Sequence, residues 1–180
     1  MNGLKTSIYF LAHYIDFVLS AGISVIIFLL IALSFRLEIV SINPGPIIIL
    51  LIVWINTAVT FAFAISTLFD NGRNSLVGTF IMLFMSIVIS LSSASIWNND
   101  PPNAFFLWPP FALYTAVSII NNRAISLAAP ALTAETIGTD PKLVAAIAYL
   151  SVEWVVFFLL SIYGAVHTPM FSTPLTKAGN

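Results

Sequence analysis

The chain has 180 residues, of which 59% are hydrophobic and 7% charged, and its mean hydropathy is +1.03. Soluble domains carry about 25% charged residues, so a water-soluble globular domain is excluded and most of the surface must face lipid. The net charge of −1 comes from single, scattered charges, which points away from nucleic acid as a partner, and the absence of cysteine excludes disulfides, thiolate metal sites and a Cys nucleophile.

A membrane span needs about 20 apolar residues to cross a hydrocarbon core of about 30 Å. Residues 8–35 form the first such stretch, apolar except for His13 and Asp16. It is too long for a signal-peptide core and no small-residue cleavage site follows, so it reads as a retained span. Residues 47–69 form a second stretch, uncharged and opened by Pro44, Gly45 and Pro46, which are expected to lie outside the helix. After the polar turn DNGRNS, residues 76–97 form an uncharged third stretch; residues 143–166 form the last, with Glu153 its only charge. A helix is the one open-chain element that satisfies its own backbone in lipid.

Between the third and last stretches the sequence changes character. NNDPPN is a breaker cluster, and an apolar run over residues 105–120 is interrupted by Pro109 and Pro110. The run is short for a full crossing and fits a re-entrant or interfacial segment, about residues 105–123. Residues 124–140 read as loop with a short helix. The expected fold is therefore an all-α membrane protein: about four transmembrane helices plus a re-entrant hairpin before the last. On that topology Lys5, Arg73 and Lys177 lie on one side and Arg36, Arg123 and Lys142 on the other, an even split. A fifth crossing would give a bias favouring a cytosolic N-terminus.

Small residues recur every four positions at Ala58, Ala62 and Ser66, and again at Ser86, Ser90 and Ala94. Such stripes let helix backbones approach closely, so helix packing is the expectation, ahead of a substrate-lining role. Glu153 stands close to mid-membrane, where a carboxylate is costly unless neutral, paired or hydrated. It is either a functional group or a neutral one holding the bundle. A helix over residues 8–35 would run about 42 Å at 1.5 Å per residue, which puts Asp16 at headgroup depth. His13 and Asp16 share a face at i, i+3 without a third ligand nearby, so interfacial anchoring outweighs metal binding or proton relay. The sequence contains no G-x-S-x-G, no H-E-x-x-H and no G-x-x-x-x-G-K-[ST] phosphate loop. No catalytic residue is expected here, nor a cofactor or metal bound by these residues.

Four segments resemble the membrane domains of subfamily A ABC transporters, mostly lipid exporters. MNGLKTSIYFLAHYID, residues 1–16, resembles the junction between coupling helix and third span, with Gly3, Leu4 and Lys5 at the coupling end. AYLSVEWVVFFLL, residues 148–160, resembles the sixth span. Thr67, Leu68 and Phe69 look like the fourth-to-fifth connection, and FFLWPPF, with Trp108, Pro109 and Pro110, resembles the re-entrant segment before the sixth span. The resemblance covers nearly the whole chain as half of one membrane domain, and lacks the first two spans, the extracytosolic domain and the nucleotide-binding domain. It implies a cytosolic N-terminus, ATP and Mg²⁺ on a nucleotide-binding domain outside these residues, and partnership with the remaining spans. It also implies a lipid-like substrate, and a fragment rather than a complete subunit. The alternative is a small four-span structural or interaction protein of the bilayer without transport activity.

Overall fold

A computed structural model describes residues 6–66, 69, 72–97, 101–126 and 132–167. Among them are six α-helices and two 3₁₀ turns: α1 (Thr6–Ser34), α2 (Glu38–Ser41), α3 (Gly45–Ser66), α4 (Gly72–Trp97), a 3₁₀ turn (Asn103–Leu107), α5 (Pro109–Ile125), a second 3₁₀ turn (Ile137–Thr139) and α6 (Pro141–His167). Four stretches are long and apolar enough to cross a membrane: Leu11–Ser34, Gly45–Ser66, Arg73–Ser92 and Pro141–Gly164. The fold is an all-α membrane protein of about four spans.

Local sequence accounts for the helix ends. The Leu37 amide donates to Ala32 O and the Arg36 amide to Leu33 O, both at 3.0 Å. That pair of bonds is a Schellman closure of α1, with Arg36 at φ 52° in the place glycine usually takes. Three helices carry proline in their first turn. Pro46 lies in the first turn of α3, Pro109 and Pro110 open α5, and Pro141 opens α6. Pro46 was expected outside its helix; the first-turn amide makes no intrahelical bond, so a residue without N–H fits there. Ahead of Pro141, Asp140 Oδ1 accepts from the amides of Lys142 and Leu143 at 3.1 and 3.2 Å, an N-cap for α6.

Three contacts set the direction of the central pair. The Thr57 hydroxyl donates to Leu150 O at 2.9 Å, the Ser161 hydroxyl donates to Thr60 O at 3.2 Å, and the Phe61 and Phe157 rings lie 5.1 Å apart. Partners rise together along both helices, so α3 and α6 run parallel. A Cβ on Gly45 would come 3.1 Å from Ala134 Cβ, which puts the start of α3 beside the segment that leads into α6. α4 runs the other way, its final Trp97 resting on Phe105 at 5.0 Å between ring centres.

The segment between α4 and α6 is a hairpin with both feet at one end of the bundle. The Lys142 ammonium donates to Pro101 O at 2.8 Å, and Arg123 meets Asp140 at 3.5 Å, so entry and exit both sit at the first turn of α6. Its apex, Trp108, has extended backbone and lies beside Phe61, far along α3, at 5.2 Å. The apolar core is built around this insertion: Leu50 of α3, Phe106, Ala112 and Ala116 of the hairpin, and Leu143, Ala146 and Leu150 of α6 are fully buried. α1 and α4 leave most of their large apolar side chains exposed, as lipid-facing helices can.

Candidate functional site

Along α6 the buried face changes from apolar to polar. Leu143, Ala146 and Leu150 are followed by Glu153 and then Ser161, while α3 contributes Thr57 and Thr60, both fully buried. The three hydroxyls are satisfied by main-chain carbonyls. Each hydroxyl shares its one hydrogen between two carbonyls in reach: Thr57 between Val53 O within α3 and Leu150 O across, Thr60 between Asn56 O and Thr57 O, and Ser161 between Phe157 O and, across, Thr60 O. Glu153 is 7% exposed, and neither carboxyl oxygen has a hydrogen-bond partner.

At the next residue of the same helix, Trp154 Nε1 donates to the Tyr14 hydroxyl at 3.2 Å, and that hydroxyl donates to Asn56 Oδ1 at 2.8 Å. Asn56 Nδ2 returns to Ile52 O at 2.8 Å. This chain of polar groups ties α1, α3 and α6 together, and the Tyr14 ring also meets Phe158 edge-on at 5.5 Å. Sequence reasoning missed it. The signal was Asn56, an amide in an otherwise uncharged span.

The two small-residue stripes have different fates. Ser86 and Ser90 are buried, and Ser86 Oγ accepts from Trp108 Nε1 at 2.6 Å, so Ser86 meets the hairpin. Ala94 belongs to α4, but its side chain lies outside those described. Ala58, Ala62 and Ser66, in contrast, line a groove of about 470 Å³ between α3 and α1, faced by Phe17, Ser20, Ala21 and Ser24. A second groove of about 380 Å³ lies between α3, α4 and α5, with Ser90 and Pro110 in its wall.

Asp16 is exposed on α1, beside the exposed Phe17. Among the described residues no three His, Asp or Glu side chains converge on a metal-sized site. Gly3, Leu4 and Lys5 lie outside the described residues, as do Thr67 and Leu68. Compared with known proteins, the chain matches no family model, no curated protein and no solved structure.

Proposed function

We propose that the chain is the transmembrane part of an ATP-driven exporter moving lipid or another hydrophobic substrate. One observation supports this most directly, the groove between α1 and α3. Its volume of about 470 Å³ falls in the range of small-ligand sites, and its walls are apolar or small. The hydroxyls of Ser24 and Ser66 are turned back to carbonyls of their own helices at 3.1 and 2.7 Å, so the groove presents little polarity to an acyl chain. Tyr14 links α1 to Asn56 of α3 and Trp154 of α6, and in this reading α1 shifts relative to α3 when driven from its cytosolic end. ATP and Mg²⁺ would act on a nucleotide-binding domain outside these residues, because the chain has no phosphate loop. The resemblance to subfamily A ABC transporters supplies that coupling.

Bulky substitutions that fill the groove test the reading. In the complete transporter, Ser24→Phe and Ala62→Phe should abolish movement of a fluorescent phospholipid across proteoliposome membranes while leaving expression intact. Unchanged lipid movement in both variants would reject the groove as the path.

A further inference from the structure

Glu153 is the one group among the buried polar side chains of the α3–α6 contact whose chemistry is left unanswered. Thr57, Thr60 and Ser161 each reach a carbonyl, whereas both oxygens of Glu153 are closed off without a donor. Tyr149 and Phe157 flank it one turn before and after on the same face. Their rings pack against Phe106 of the hairpin at 5.9 Å and Phe61 of α3 at 5.1 Å. Glu153 therefore sits where α3, α6 and the hairpin meet.

Among the described residues no countercharge faces this junction. The packed faces supply Thr57, Thr60 and Phe61 from α3, Phe106 and Trp108 from the hairpin, and Ala112, Thr115 and Ala116 from α5. The titratable groups nearby are the phenols of Tyr149, on the same face of α6, and Tyr14, on α1, whose hydroxyl is engaged with Asn56 and Trp154. Asp16 of α1 is exposed, and His13 is on the same helix nearly a turn earlier. Arg123, Asp140 and Lys142 gather at the start of α6, about 16 Å along the helix from Glu153 at 1.5 Å per residue. An ionised carboxyl without partner or water is heavily penalised in such a place, so the packed junction requires the neutral acid. Neither of the two grooves described above includes Glu153 in its wall, and both of its carboxyl oxygens are closed off from solvent, so an organic ammonium or a hydrated metal would have to part the packed helices to reach them. A proton is the cation that fits.

We propose that Glu153 is a reversible intramembrane proton-binding site. The carboxyl keeps its proton while α3, α6 and the hairpin are packed together. When the junction opens to water the O–H bond breaks, the proton passes to water as hydronium, and the hydrated carboxylate remains until repacking takes a proton back. Thr57, Thr60 and Ser161 give water polar footholds along the same helix contact. The inference stands independently of the exporter reading and would hold for any protein built on this bundle.

Infrared spectroscopy of the full chain in lipid nanodiscs tests it. The carbonyl stretch of a protonated carboxyl should be present at neutral pH, shift in D2O as O–H becomes O–D, and disappear reversibly as pH is raised. Glu153→Gln should remove the band. Should that variant fail to fold, Glu153→Asp, which shifts the band, makes the same assignment. A wild-type band that survives at every pH without a shift in D2O would overturn the proposal, as would the absence of any such band.

Discussion

The Lys142 ammonium holds the Pro101 carbonyl at 2.8 Å, joining residues 41 positions apart at the mouth of the re-entrant hairpin. Lys142 is in the first turn of α6 and Pro101 precedes the descent into the bundle, so the bond brings entry point and last span to one end. Arg123 and Asp140 do the same for the exit, at 3.5 Å. The loop that turns inside thus leaves on the side where it came in, and α6 runs parallel to α3.

This topology predicts which positions share a side of the membrane. Because the sequence has no cysteine, single cysteines can be placed without background. Cysteines at Ser41, Asn103 and Thr136, all exposed, should react with a membrane-impermeant maleimide from the same side. One at the exposed Asn74, at the start of α4, should react only from the opposite side. Had α5 crossed completely, Asn103 and Thr136 would label from opposite sides, and that result would refute the hairpin.

The first turn of α6 should be a stability hinge. Asp140→Asn keeps a capping acceptor and loses only the ion pair with Arg123, which is 38% exposed. Such pairs contribute well under about 1 kcal/mol, so little change is expected. Asp140→Ala removes the cap and should cost about 1 kcal/mol. Lys142→Met deletes a charged donor to a partly buried carbonyl and should cost about 1–2 kcal/mol. Thermal unfolding in detergent should therefore rank Asp140→Asn nearest to wild type.

Much of this fold is legible in composition, and the reasons for the exceptions are physical. Four apolar stretches of spanning length announce four spans, and Pro109 and Pro110 announce a break. Where helices start was less clear, since proline excludes itself from helix interiors but suits first turns, as Pro46 and Pro141 show. Charge counting favoured a fifth crossing weakly; the parallel run of α3 and α6, visible only in the contacts of Thr57 and Ser161, gives four. The stripes at Ser86 and at Ala58 have the same spacing, yet one meets Trp108 and the other lines a groove. Spacing says that a backbone can be approached closely, not which neighbour approaches. Glu153 could be found from sequence as a lone mid-span acid, but its lack of any hydrogen-bond partner depends on where the hydroxyls of Thr57, Thr60 and Ser161 point.

Removing the donor that links the central helices should loosen them measurably. Thr57→Val is nearly isosteric and deletes the bond to Leu150 O, whereas Thr57→Ser retains the hydroxyl. Hydrogen bonds between membrane helices contribute about 0.6 kcal/mol on average and up to about 1.7. Thr57→Val should lose an amount near the top of that range, because its side chain is fully buried and the valine leaves the carbonyl without its cross-helix donor. Chemical denaturation in mixed micelles would measure the difference, and equal stability of the valine and serine variants would deny the bond any role.

Arg36 should improve on replacement by the residue its backbone favours. Its φ of 52° is left-handed, a conformation that costs an L-residue about 1–2 kcal/mol and glycine almost nothing. The side chain is exposed, so little packing is lost on truncation. Glycine's greater freedom in the unfolded chain offsets part of the gain, and Arg36→Gly is expected to stabilise by about 0.5–1 kcal/mol net. Arg36→Ala tests the cause: it removes the same charge and stem but keeps the Cβ, so it should give none of that gain. If the alanine and glycine variants melt together, backbone strain at the end of α1 is not what the substitution relieves.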